Sequence, residues 1–282
     1  MFPNYKTSPE GFPAAQVSPS IIYCLETREG CEGYFLVSHS SLTEITFLDL
    51  PAAHKFTIGK VDSIDAFRSY ASEMANHYGV LEALDRKSYA TTTSTPWGRA
   101  QTATKYGPGI TSYDTPGHGG FKVSDGRNKL IPTPYRNDNG WYEEDSEWAK
   151  VAATFPEHFT SFEIKEARKT LINSLPDEYE AVTGEEILPG QSYVRDKQIF
   201  KRENAENWVV ISALSSDEHE GMVECIATMG GKRSGYYNGV EVTVEEREFL
   251  VPDAEYGERS RFGFVIDEAR HESVSTSAGL SM

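Results

Sequence analysis

The chain has 282 residues, 38% of them apolar and 12% aromatic, which suffices for one large domain or two to three small ones and excludes compositional disorder. Its 27 Lys and Arg against 43 Asp and Glu leave a formal charge of −16. Such a chain is repelled by nucleic-acid phosphates and anionic membranes at long range, and it attracts a basic partner.

In chain order, Ile21–Leu25 and Gly33–Val37 predict two strands, joined through Glu29-Gly30 as an antiparallel hairpin. Glu44–Leu48 and Lys55–Ile58 predict two more. Asp62 is the expected N-cap of a helix whose Ile64, Phe67, Ala71, Met74 and Tyr78 share one face. Ser88–Thr95, with four threonines and neither period, reads as a linker. Residues 1–90 therefore read as a small α/β unit. Residues 91–190 read as a central region of turns followed by helices. Glu143–Phe155 predicts one helix, with its acids in the first turn where the helix dipole favours them and Trp148, Val151, Ala152 and Phe155 on a common face. Thr160-Ser161-Phe162-Glu163 is a capping box opening a second helix, with Ile164, Ala167, Leu171 and Leu175 on one face. Pro176 ends it and starts a third that stops at Gly184. Residues 191–282 read as β-rich, with strands over Trp208–Leu214, Gly221–Met229, Glu241–Val251 and Phe262–Ile266. Their short connections predict an antiparallel meander, and the small polar tail from Ser273 is expected to fray. The fold class is thus α+β.

The three cysteines, Cys24, Cys31 and Cys225, form no CxxC, so no disulfide framework or structural zinc site is expected. A reducing cytoplasm is the simplest home. Met1–Lys6 has no basic region followed by an apolar run, and no run of about eighteen apolar residues marks a membrane helix.

Three blocks stand out: Pro96-Trp97-Gly98, Thr115-Pro116-Gly117-His118-Gly119-Gly120 and Gly140-Trp141-Tyr142-Glu143-Glu144-Asp145. Their glycines specify turns. Trp97, Trp141 and Trp148 are expected in a compact core around them. His118, Glu143, Glu144 and Asp145 are candidate catalytic residues and the right ligand types for a metal, but no HxxxH or HExxH spacing supports one. The spacing therefore assigns no metal and no cofactor, and lets the acids serve a helix start while His118 bonds within a turn. Cys24 and Cys225 lie in apolar strands where thiols are inert, and no GxSxG elbow exists. Gly230-Gly231-Lys232-Arg233-Ser234-Gly235 lacks P-loop spacing and reads as a hairpin tip. With Tyr236 and Tyr237 behind them, Lys232 and Arg233 form a candidate partner-binding surface, Tyr and Arg being favoured interface anchors.

The PWG, HGG and GWYEED blocks resemble an uncharacterised family of bacteriophage, plasmid and integrative-element proteins known as a domain of unknown function. The resemblance runs from Pro96 into the C-terminal region, including Arg259–Asp267, and does not cover residues 1–90. Where that family often carries a cysteine after the acidic triplet, this chain has Ser146, which counts against a nucleophile or ligand there. The resemblance implies an accessory role on a mobile element and no particular reaction.

Two functions follow as expectations. In the first, the chain is a homo-oligomeric accessory protein in the host cytoplasm that binds a host defence complex stoichiometrically, with a Gabija-type nuclease–helicase as a candidate target whose DNA-binding surface it masks. In the second, it is a metal- or histidine-dependent enzyme acting on a nucleotide or modified base through His118 and Glu143–Asp145. The missing catalytic spacing and the charge favour the first.

Overall fold

A computed structural model describes residues 2–50 and 53–274. The chain forms two compact units, residues 1–185 and 186–282. Both combine helices with antiparallel sheets, an α+β fold as the composition and periodicities predict.

The first unit opens with a five-stranded antiparallel meander: β1 (Asn4–Thr7), β2 (Pro13–Ser18), β3 (Ile21–Arg28), β4 (Cys31–Ser40) and β5 (His54–Val61). The predicted hairpin is β3–β4, turning at Gly30 with φ +73°. Helix α1 (Ile64–Leu84) starts one residue later than expected, because the Ser63 hydroxyl, rather than Asp62, accepts from the Ala66 amide at 3.1 Å. Its Phe67, Ala71, Met74 and Ala75 pack on Ala15, Val17, Tyr23, Leu25 and Leu36 of the sheet. Ala14, Ile22 and Cys24 face the other way and meet Ile45, Phe47 and Leu50. Residues 44–48 form no strand. The Asp49 carboxylate accepts from the Thr46 amide and hydroxyl at 2.6 and 2.8 Å, which bends this segment so that its hydrophobes cap the sheet.

The expected linker is structured. Strand β6 (Lys87–Ala90) and the small ribbon β7 (Ser94–Thr95) and β8 (Gly98–Arg99) lie within it or at its end. A second sheet, in the order β12-β11-β10-β9-β6, adds β9 (Thr102–Gly107), β10 (Ile110–Asp114), β11 (Gly119–Val123) and β12 (Trp141–Glu143). Of the four threonines that obscured a period, Thr92 and Thr93 are exposed and Thr91 and Thr95 half-buried, while the Ser88 and Thr104 hydroxyls lie 2.8 Å apart between β6 and β9. The turn α2 (Asp125–Asn128) leads to helices α3 (Trp148–Thr154), α4 (Ser161–Ser174) and α5 (Pro176–Thr183). The expected helix from Glu143 starts instead at Trp148, because residues 141–143 pair with β11 and the acids that follow form a turn. The capping box is present in both directions at Thr160 and Glu163, and α5 ends at Gly184 in the left-handed region.

Residues expected as two segments, 1–90 and 91–190, pack together as far as Glu185. Just past the end of α1, Arg86 donates to both Glu163 carboxylate oxygens at 2.7 and 2.8 Å and to the His158 carbonyl at 2.7 Å. Its guanidinium lies 3.8 Å from the centre of the Tyr106 ring. The buried His77 Nδ1 is 2.7 Å from the Thr160 hydroxyl. These ties fasten α1 to the capping turn of α4.

The second unit holds a helix not expected from the β-rich pattern, α6 (Tyr193–Glu203), capped by Ser192. Its sheet has the order β13-β14-β17-β18, from β13 (Trp208–Ser215), β14 (Met222–Met229), β17 (Glu246–Pro252) and β18 (Glu272–Val274). The predicted strand over 241–251 is divided. Its first residues belong to a separate hairpin, β15 (Gly235–Tyr237) with β16 (Val240–Val242), and the rest is β17. Residues 262–266 form no strand and make two isolated bridges, Val209 to Val265 and Ser260 to Gly263, and a short helix α7 (Asp253–Gly257) precedes them. Ser273 and Val274, placed in a fraying tail, pair with β17. Residues 275–282 lie outside the described residues. No helix among the described residues is long and apolar enough to cross a membrane.

Candidate functional site

The three sequence blocks converge on one end of the second sheet of the first unit. Between β10 and β11 the chain reverses through Thr115–His118. The Thr115 amide and hydroxyl donate to the His118 carbonyl at 2.8 and 2.6 Å, and the His118 amide donates to the Thr115 hydroxyl at 3.1 Å. This clamp leaves the imidazole at the surface. Strand β12 pairs with β11 in a register that sets Glu143 opposite Gly120. The Glu144 amide donates to the Gly119 carbonyl at 3.1 Å, which carries the backbone past β11.

Two glycines allow this approach. A Cβ on Gly119 would press on the Glu144 carboxylate and the Tyr113 carbonyl. One on Gly120 would overlap the Tyr142 carbonyl and the Trp97 ring. Trp97 in turn meets Trp141 edge to face, with centroids 5.7 Å apart. The tryptophans 97, 141 and 148 are half-buried rather than interior. They border open clefts, and the fully buried aromatic of the block is Tyr142, whose hydroxyl donates to Asn128 Oδ1 at 2.6 Å and accepts from the Asn137 amide at 3.1 Å.

Sheet pairing assembles a group that spacing concealed. One ligand atom each of His118, Glu143 and Glu144 lie within 4.8 Å of one another. His118 and Glu144 are exposed and Glu143 is half-buried. The Glu143 carboxylate does two things. Its Oε2 accepts from the amides of Asp145 and Ser146 at 2.7 and 3.3 Å, so it pins the turn ahead of α3. Its Oε1 is buried and has no hydrogen-bond partner among the described residues. Asp145 is exposed and joins the turn through its backbone; its carboxylate is not part of the group. An imidazole with two carboxylates is a donor set for a borderline or hard divalent cation, with positions left open for water or substrate.

The two acids open onto different cavities. Glu143 lines a cleft of about 520 Å³ with Trp97, Trp141, Arg136, Asn137 and Glu147. Glu144 lines a pocket of about 280 Å³ with Tyr106, Asp114, Phe121, Trp148 and Glu163. Sequence reasoning missed Glu147, whose Oε2 accepts from Asn137 Nδ2 at 2.9 Å and from the Glu143 amide at 3.2 Å. It also missed Asp114 and Glu163 as pocket carboxylates. The period-two run Trp141-Tyr142-Glu143 was the available signal, since it marks a strand with Tyr142 facing inward.

The predicted partner-binding residues lie in the second unit. Beyond β14, Gly230 and Gly231 turn the chain, and the Thr228 hydroxyl donates to the Lys232 carbonyl. Lys232 is exposed, and Arg233 donates to the Ile211 carbonyl. Tyr236 is 74% exposed and Val240 64% exposed on the β15–β16 hairpin. Tyr237 pairs with Val240 through its backbone, and its side chain lies outside the described residues. The two strand thiols are buried, and burial pushes Cys24 up to about 12 and Cys225 up to about 11, so neither is a nucleophile at neutral pH.

No curated protein and no solved structure matches this chain. Residues 90–205, which carry all three blocks, the His118, Glu143 and Glu144 group and the capping-box helix, match the model of a family described as Domain of unknown function (DUF7007).

Proposed function

We propose that this protein is a mobile-element accessory factor acting by stoichiometric binding. It grips a host protein that handles nucleic acid, in the host cytoplasm, and masks the basic surface on which DNA would sit. A Gabija-type nuclease–helicase complex is the candidate target, sheathed by a homo-oligomer of this chain. One observation supports the reading: a chain of charge −16 displays an aromatic and aliphatic hairpin, with Tyr236 and Val240 mostly exposed. Long-range attraction to a basic groove combined with a large apolar anchor is how tight protein inhibitors associate. Titration of the purified protein against the target's nuclease activity tests it. Inhibition is expected to complete near equimolar ratio, without chemical change in the target, and bare DNA is expected to show no gel shift at physiological salt. Complete inhibition far below equimolar, with an altered target or nucleotide, overturns it.

The His118, Glu143 and Glu144 group favours a second reading, a metal-dependent enzyme acting on a nucleotide or modified base. The buried, unpartnered Glu143 Oε1 beside the imidazole is the observation behind it. Calorimetric titration with Mn²⁺, together with turnover on a nucleotide panel, separates the two. On the enzymatic reading His118→Ala abolishes metal binding and turnover at unchanged melting temperature. On the binding reading the wild type shows no turnover, and His118→Ala leaves inhibition intact.

A further inference from the structure

The sheet of the second unit has one covered face and one open face. Trp208, Val223, Cys225, Ala227, Phe249, Val251 and Ile266 form the core on the covered side. Alternation along each strand sends their neighbours to the other side. The register then sets out a regular pattern there. Leu214 lies opposite Glu224, Glu224 opposite Leu250, and Leu250 opposite Glu272. In the adjoining row Ser212 lies opposite Ile226, Ile226 opposite Glu248, and Glu248 opposite Val274. Apart from Ser212 at one edge, aliphatic and carboxylate side chains thus alternate across the strands and from one row to the next.

This face is open and of one sign. Leu214 is 72% exposed and Val274 42% exposed. The loop after β13 adds Asp217 and Glu218 to a concavity of about 500 Å³, and no lysine or arginine lines it among the described residues. Its one ionisable nitrogen is on His219. Arg247, the cation of β17, serves the covered side, with its guanidinium 4.3 Å from the centre of the Trp208 ring. Glu224 has one polar partner, the Ser216 hydroxyl at 2.6 Å, and Glu248 has none among the described residues. Like charges on neighbouring strands repel, and among the described residues no lysine or arginine lines this face to offset them.

We propose that this open face is the docking surface for a basic amphipathic segment of a partner protein, such as a helix with leucine-class and lysine or arginine residues along one side. The apolar side chains of the segment cover Leu214, Ile226, Leu250 and Val274. Its ammonium or guanidinium groups pair with Glu224, Glu248, Glu272 and Asp217, while their aliphatic stems extend the apolar contact. Charge selects this occupant. A second copy of the chain would bring the same −16 and the same acidic face, and residues 275–282 carry no cation. The inference rests on the stoichiometric-binding reading and names the chemistry of the partner.

The test uses the full chain and a fluorescently labelled helical peptide of leucine and lysine, with a leucine–glutamate peptide as control. Anisotropy is expected to show salt-sensitive binding of the basic peptide alone. The double variant E224K/E248K, the neutral variant E224Q/E248Q and Leu214→Asp, all on exposed or rim positions, are each expected to weaken it by about tenfold or more at unchanged melting temperature. Wild-type affinity in all three variants overturns the surface. A dimer that E224K/E248K dissociates assigns the face to a second copy and also overturns it. So does peptide binding that appears only after removal of residues 275–282. Inhibition of the nuclease–helicase far below equimolar would instead remove the binding reading and leave the peptide result as measured, so the two failures are distinguishable.

Discussion

Replacing Arg86 by methionine keeps the aliphatic stem and removes the guanidinium. That group makes two bonds to Glu163 and one to the His158 carbonyl, all at 2.7–2.8 Å, and stacks on Tyr106. The Arg86 and Glu163 side chains are 11% and 19% exposed, so the pair is neither freely solvated nor sealed. Breaking one partner of a fully buried pair costs about 3–5 kcal/mol, whereas exposed pairs contribute roughly 0–1. With residual solvent screening and the lost ring contact, a loss of about 2–3 kcal/mol is expected for Arg86→Met. Glu163→Gln keeps a cap acceptor and loses the charge, so about 1–2 kcal/mol is expected for it. The double variant should fall short of the sum by about 1 kcal/mol or more, because both changes remove the same contact. Two units make a single global melting curve ambiguous. Native-state hydrogen exchange, read separately over α1, α4 and the β13–β14 hairpin, isolates the effect. Protection should drop in both α1 and α4 and stay unchanged in β13–β14. A drop below about 0.5 kcal/mol in α4, or additive single variants, would refute the claim that this pair fastens residues 1–90 to the central region.

Three further outcomes are expected. Gly120→Ala, which drives a methyl into the Tyr142 carbonyl and the Trp97 ring, should destabilise the first unit by about 1–3 kcal/mol or shift the Trp97–Trp141 pair, as chemical melting and near-ultraviolet circular dichroism will show. With a thiol-titrating disulfide reagent the native protein should expose one fast-reacting cysteine, Cys31, and release Cys24 and Cys225 only on denaturation; rapid reaction of all three would contradict their burial. Stability should fall in two acid stages. Burial holds His39 and His77 below the ordinary 6.5, so the stability of their neutral forms is present above that value and is lost as pH falls through it towards their folded values. Burial pushes Glu163 up, but Arg86 and the Thr160 amide outweigh it and hold it below 4.5, so its contribution disappears in the lower window, as pH falls below 4.5. Urea midpoints measured across this range check both stages, and a midpoint that rises on acidification from pH 7 would contradict them.

Local rules determined a good part of this protein from its residues alone. The β3–β4 hairpin follows from two β-branched and aromatic runs flanking a glycine that takes positive φ. The Thr160–Glu163 box, Pro176 and Gly184 place the α4 and α5 boundaries, because caps and breakers act within one turn of their own position. Burial of the thiols Cys24 and Cys225 likewise follows from the apolar strands around them. Tertiary structure alone decided the rest, and each case turns on a partner distant in sequence. Residues 87–95 have no amphipathic signal, yet β9 supplies backbone partners and makes β6 from them. Glu143 has good helical surroundings, but pairing of residues 141–143 with β11 overrides that preference and delays α3 to Trp148. The same pairing brings His118 to Glu143 and Glu144, because adjacent strands lie about 5 Å apart whatever the length of chain between them. The alternation of Leu and Glu on the open face of the second unit has the same origin. Each strand shows only its own period of two, and the cross-strand register decides that the aliphatic residues of one strand face the carboxylates of the next.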